Sequence, residues 1–96
     1  MKLSDTLKKV TVAASNGDMQ RQITGVNIDS RQVKPGDLFI AVKGTQADGH
    51  QYIPKAIELG AVAILMSDPI PADAVENVTY VQVDDTEDAA GKVATM

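Results

Sequence analysis

Apolar positions along this chain switch between helical and strand spacing in short blocks. Leu3, Leu7 and Val10 recur at helical intervals, with Ser4 or Asp5 available as N-cap and Lys8 and Lys9 near the end. The pattern predicts a short helix from Ser4 to about Val10. Ser15-Asn16-Gly17-Asp18 is a turn signal. Ile23 to Ile28 alternates and predicts a strand that runs out into Asp29-Ser30-Arg31. Val33-Lys34-Pro35-Gly36-Asp37 predicts a tight turn, because Pro presets φ and Gly supplies a positive one. Leu38 to Val42 is almost continuously apolar, the pattern of a strand buried on both faces. Lys43 to His50 is polar, contains Gly44 and Gly49, and reads as a loop.

Tyr52, Ile53, Ala56, Ile57 and Leu59 return to helical spacing, with Pro54 in the first turn and Gly60 placed to end the helix. Ala61 to Leu65 predicts a second buried strand, and Val78 to Val83 a third. Between them, Asp68 to Asn77 with Pro69 and Pro71 reads as a surface connection. Thr86 is set to cap a last helix whose first turn carries Glu87 and Asp88, where acids favour the helix dipole. That helix meets no stop signal before Met96, so the expectation is a chain cut from a longer one. The order of elements predicts a single α/β layer structure. Leu38 to Leu65 reads as a right-handed strand–helix–strand crossover between parallel strands. Ligands of such sheets lie beyond the carboxyl ends of the strands, here Asp29-Ser30-Arg31 and Lys43 to His50.

Composition narrows the function classes. With 44% hydrophobic and 23% charged residues in 96, the chain has ordinary globular make-up and disorder is not expected. The net charge of −4 argues against a general nucleic-acid binder. The charge is uneven: residues 1–64 carry 8 basic and 6 acidic groups, residues 65–96 carry 1 and 7. An anionic ligand is therefore expected on the first two-thirds. The absence of cysteine excludes a disulfide scaffold, a thiolate zinc site and a Cys nucleophile. The single His50 leaves no multi-His metal site. The longest apolar run, Ala61 to Met66, is far short of the roughly 20 residues of a membrane helix, so no membrane partner is expected. No apolar stretch follows Lys2 as in a signal peptide, and the expected compartment is the cytosol.

No catalytic set stands out. The phosphate-loop pattern Gly-x-x-x-x-Gly-Lys-Ser/Thr is absent, because the Gly44 to Gly49 segment lacks its Lys-Ser/Thr. Asp48, His50 and Ser30 come without a nucleophile elbow. Asp84, Asp85, Glu87 and Asp88 read as a solvated, dipole-matched helix start rather than a metal site. Asp29-Ser30-Arg31 admits two readings. It is either a strand-end turn, with Arg31 paired to a carboxylate, or a hydroxyl and a cation aimed at a polar ligand. The Gly44 to His50 loop is likewise either a plain connection or a set of backbone N–H groups that cradle a phosphate.

Taken in order, Asp29-Ser30-Arg31, Val33-x-Pro-Gly-Asp-Leu-Phe-Ile-Ala-Val-x-Gly44, Asp48-Gly49-His50-x-Tyr52-Ile53, Ala56 and Gly60-Ala61 resemble the N-terminal domain of the Mur ligases. The resemblance covers about residues 20 to 96, and Gln46-Ala47-Asp48-Gly49 tilts it to the MurE branch. It implies a small mixed, mostly parallel sheet flanked by helices, with residues 1–96 as one UDP-binding domain of a three-domain ligase. That ligase would add meso-diaminopimelate or L-lysine to a UDP-N-acetylmuramoyl-dipeptide in peptidoglycan precursor synthesis. The resemblance places ATP and Mg2+ on a central domain and the amino-acid pocket on a C-terminal one. It implies no catalytic residue, metal or cofactor site in these residues. By position, Ile28, Ser30, Thr45, Gln46 and Ala47 would contact the UDP moiety. Thr45 stands where many relatives carry His or an aromatic, which removes the ring that would stack on uracil. The MurF type and a stand-alone nucleotide-sugar binding module remain as alternatives.

Overall fold

The computed structural model describes residues 2–8, 10–42, 49–70, 72 and 77–94. Among them are strands β1 (Ala14–Asn16), β2 (Val26–Asn27), β3 (Leu38–Ile40), β4 (Ala63–Met66) and β5 (Thr79–Gln82). Helices α1 (Leu3–Thr6), α2 (Ile53–Glu58) and α3 (Thr86–Ala94) accompany them, with short 3-10 turns at Ser30–Gln32 and Gly49–Tyr52. The sheet order is β1-β5-β4-β3-β2, with β2 to β5 mutually parallel and β1 antiparallel to β5. This is the mixed, mostly parallel α/β sheet that the resemblance implied.

The continuous apolar runs follow from covering both faces of that sheet. Successive side chains of a strand point to opposite faces. Leu38, Ile40, Ala63, Leu65 and Val81 pack with Leu3, Leu7 and Ala89 from α1, the turn after it, and α3. Phe39, Ile64, Met66 and Tyr80 pack on the other face with Ile53 and Ala56 of α2 and with Val33. Tertiary burial therefore outweighs any local amphipathic pattern in β3 and β4.

The end of α2 shows why Gly60 stands where it does. Ala61 N–H donates to Ala56 O and Gly60 N–H to Ile57 O, both at 3.0 Å, which is a Schellman closure with Gly60 at φ 110°. Ala61 and Val62 complete this corner, so β4 starts at Ala63 rather than at Ala61. Gly36 has φ 94° in the turn before β3, as the Pro-Gly signal predicted.

Four local readings are corrected. Ala14-Ser15-Asn16 is strand β1, not part of a turn; all of its residues are exposed, and its backbone pairs with β5. The expected strand Ile23 to Ile28 shrinks to Val26–Asn27, because Ile28 bends into the Ser30 turn. Helix α1 ends at Thr6 and has no side-chain cap. Its leading amides, Leu3 N–H and Ser4 N–H, instead donate to Arg21 O and Met19 O at 2.9 Å. The cap of α3 is Asp85, whose Oδ1 accepts from Glu87 N–H at 3.0 Å and Asp88 N–H at 3.2 Å, while Thr86 is buried as its first residue.

Candidate functional site

Because β2 to β5 run parallel, their carboxyl ends share one edge of the sheet. β2 delivers Ile28 and the Ser30 turn there, β3 delivers Val42, and β5 delivers Val83 and Asp84. Arg21 lies at the opposite edge, donating through its guanidinium to Val62 O at 3.2 Å and to Asn77 O at 2.5 Å, just ahead of β4 and β5.

The Ser30 turn is built by the residue before it. Asp29 is its N-cap, with Oδ1 accepting Arg31 N–H at 2.9 Å while Asp29 O accepts Gln32 N–H at 3.0 Å. Arg31 reaches back to the same carboxylate, Nε to Oδ1 at 3.2 Å and Nη2 to Oδ2 at 3.1 Å. The side-chain bond from Arg31, followed by its backbone N–H, holds the Asp29 carboxyl below the usual range. The Arg31 side chain is 84% exposed, so solvent screens this pair and its contribution to stability is small. The structure thus realises the strand-end reading of Arg31.

Beneath the turn lies a polar pair that the sequence reading passed over. Asp37 is buried, and its Oδ2 accepts from Asn27 Nδ2 at 2.8 Å and from Lys34 N–H at 3.0 Å. Its Oδ1 accepts the Thr24 hydroxyl at 3.0 Å. Burial pushes the carboxyl up, but the bonds from Lys34, Asn27 and Thr24 outweigh it, and the pKa lies below its ordinary value. Asn27 Nδ2 also donates to Gln32 O at 3.3 Å, inside the Ser30 turn. The sequence signal was an Asn at a strand end facing an Asp at a strand start, and spacing alone does not show that they meet.

Of the expected ligand contacts, Ile28 is 62% exposed on this edge and Ser30 is buried at 6%. Thr45, Gln46 and Ala47 lie outside the described residues, as does Asp48. At the end of β5, Thr11, Asp84, Asp85 and Asp88 line a cleft of about 270 Å³. Its acidic wall disfavours an anion. Among the described residues no group of three or more His, Asp or Glu converges as a metal site. Among the described residues no helix is long and apolar enough to cross a membrane.

Comparison with known proteins places this geometry. The profile described as Mur ligase family, catalytic domain, matches residues 22–96. The chain belongs to the Mur ligase family. Among curated Mur ligases it is 52% identical over 95 residues to UDP-N-acetylmuramoyl-L-alanyl-D-glutamate--2,6-diaminopimelate ligase of Phocaeicola vulgatus, covering 99% of this chain and 19% of that protein. Among solved Mur ligases it superposes on MurF from Acinetobacter baumannii with a TM-score of 0.78 and 26% identity, over 96% of this chain and 20% of that one. It also matches MurF ligase from Thermotoga maritima, solved in complex with ADP, with a TM-score of 0.60 and 32% identity over 72% of this chain and 15% of that one. The chain spans about a fifth of the length of the curated relatives it matches.

Proposed function

We propose that this chain is the UDP-binding N-terminal domain of an ATP-dependent ligase that joins 2,6-diaminopimelate to UDP-N-acetylmuramoyl-L-alanyl-D-glutamate in peptidoglycan precursor synthesis. The observation that carries the reading is the 52% identity, across nearly the whole chain, to a ligase of that name. The likeness to the two MurF structures is weaker in sequence, at 26% and 32% identity, and supports the shared fold. The proposed contacts to the UDP moiety are Ile28, Ser30, Thr45, Gln46 and Ala47. The parallel pairing of β2 with β3 supports this grouping, since it brings the end of each strand to one edge. An exposed Ile28 beside a serine turn offers an apolar face and a hydroxyl, a combination suited to a nucleoside.

In this reading the domain binds and orients and takes no part in bond making. The UDP end lies far from the reacting carboxylate, so its contacts stabilise ground state and transition state alike and set KM rather than kcat. ATP and Mg2+ belong to the central domain, the amino-acid pocket belongs to the C-terminal domain, and the compartment is the cytoplasm. These 96 residues alone have no ligase or ATPase activity in this reading, because they contain no phosphate loop.

The test is ADP release by the full-length protein. It is expected with UDP-N-acetylmuramoyl-L-alanyl-D-glutamate plus 2,6-diaminopimelate. Turnover only with the corresponding tripeptide substrate plus D-alanyl-D-alanine would assign the MurF type. No turnover with either would point to a binding module.

A further inference from the structure

We propose that Asn27 is a positioning residue for the Ser30 turn, and that Asp37 sets the direction in which it acts. The proposal rests on the reading that the UDP end of the substrate binds beside Ser30.

β2 and β3 are parallel neighbours, yet only residues 28–37 join them. Parallel neighbours ordinarily need a crossover of about a dozen residues or more, usually a helix. Here the chain folds tightly over the sheet, and its backbone groups need partners close at hand. Asn27 and Asp37, at the two ends of the connection, supply them. Lys34 N–H donates to Asp37 Oδ2 at 3.0 Å, and Gln32 O accepts from Asn27 Nδ2 at 3.3 Å.

The two side chains are also joined to each other, Nδ2 to Oδ2 at 2.8 Å. An ionised carboxylate only accepts, so Asp37 fixes which end of the Asn27 amide faces it. One hydrogen of that NH2 group goes to Asp37, and the other is left aimed at Gln32 O, within the Ser30–Gln32 turn. Asp29 caps the same turn from its outer, solvent-exposed side. The Ser30–Gln32 turn is therefore held from within by Asn27, through Gln32 O, and from outside by Asp29, through Arg31 N–H. Thr24 provides an internal control: its hydroxyl donates to Asp37 Oδ1, but the bond reaches no atom of residues 29–32.

The experiment is steady-state kinetics of the full-length ligase carrying Asn27→Ala, Thr24→Val, Ser30→Ala, or Asn27→Ala with Ser30→Ala. Ser30→Ala is expected to raise KM for the UDP substrate. Asn27→Ala should raise the same KM about three- to tenfold, the scale of one lost hydrogen bond, with kcat and the KM for ATP unchanged. Thr24→Val should lower the melting temperature without moving KM. The double variant should be no worse than the more affected single variant, because Asn27 acts through Ser30. The proposal is overturned if Ser30→Ala raises KM and Asn27→Ala does not. It is equally overturned if the two effects multiply, or if Thr24→Val raises KM as much as Asn27→Ala. An unchanged KM in Ser30→Ala would overturn the site reading, and this proposal with it. Should Asn27→Ala fail to fold, Asn27→Ser is judged by the same criteria. Failure of both to fold would assign Asn27 to stability alone.

Discussion

Gly36 N–H donates to Gly60 O at 2.9 Å, joining the turn before β3 to the corner after α2. Both residues have positive φ, 94° and 110°. The approach is close enough that a Cβ on Gly60 would stand 2.6 Å from Pro35 Cα, and one on Gly36 would stand 2.9 Å from Thr24 Oγ1. Two turns far apart in sequence are thus joined, with the backbone of Pro35 set directly against Gly60.

The first prediction follows from that contact. Gly60→Ala adds left-handed strain of about 1–3 kcal/mol to a clash with backbone. For a domain of this size each kcal/mol lowers the melting temperature by about 4–8 °C. A melting temperature more than 5 °C below wild type is therefore expected, roughly, for Gly60→Ala. Gly36→Val should act in the same direction, because a β-branched residue is strained at a φ of 94° and its Cβ would meet the Thr24 side chain. A Gly60→Ala protein that melts at the wild-type temperature would show that the corner relaxes.

Much of this architecture was legible in the sequence where burial is two-sided. The runs around Leu38-Phe39-Ile40 and Ala63-Ile64-Leu65 have the length and apolar continuity of strands in the middle of a covered sheet, where they lie. Gly36 and Gly60 were legible for a separate reason, since their conformations are closed to other residues. β1 was not legible: Ala14-Ser15-Asn16 buries nothing, and its pairing with β5 is written in backbone rather than in side chains. Of the candidate site, the position of Ser30 after a strand was readable from alternation. The Asn27–Asp37 contact was not, because it depends on how residues 28–37 fold back over the sheet. Polar residues announce such pairs only once the chain path is known.

Asp37 gives a pH-dependent stability whose sign can be worked out. Its folded pKa is depressed, so between that value and the unfolded-state value of about 3.9 the unfolded chain binds more protons. The stabilisation is fully present above the unfolded value and is lost as pH falls through the folded one. Urea midpoints should therefore be flat in this contribution from pH 5 to 7, roughly, and fall below about pH 4. Asp37→Asn should flatten that acid limb. It should also lower the unfolding free energy at neutral pH by about 1–3 kcal/mol, because an amide presents one acceptor oxygen where Asp37 uses two. An acid limb unchanged by Asp37→Asn would assign the effect to other carboxylates.

Asp85 supports a third prediction. Its Oδ1 is the acceptor for two amides at the start of α3, Glu87 N–H and Asp88 N–H. Asp85→Ala should cost about 1 kcal/mol, and Asp85→Asn much less, since an Asn side-chain oxygen caps nearly as well. Thermal melts of the two variants separate capping from charge. Equal losses in both would mean that the negative charge at the helix start matters more than the bond.

The last prediction concerns which end of the shared sheet edge takes the diphosphate. Two places compete: the Ser30 turn after β2, and the cleft beside Asp84, Asp85 and Asp88 after β5. Charge decides between them. Residues 1–64 carry a net +2 from 8 basic and 6 acidic groups, whereas residues 65–96 carry 1 basic and 7 acidic. A diphosphate approaching the β5 end meets three carboxylates at short range, and one approaching the β2 end does not. Titrating the isotope-labelled chain with UDP should shift the amides of Ile28, Ser30, Arg31 and Thr45 to Ala47, and leave Asp84 to Asp88 in place. Binding should weaken as salt is raised, since its electrostatic part is screened over about 10 Å at 0.1 M. Uridine, which lacks the phosphates, should perturb the same amides with little salt dependence. Shifts centred on Asp84 to Asp88 would sink the assignment, because they would place an anion against the acidic wall and away from the Ser30 turn.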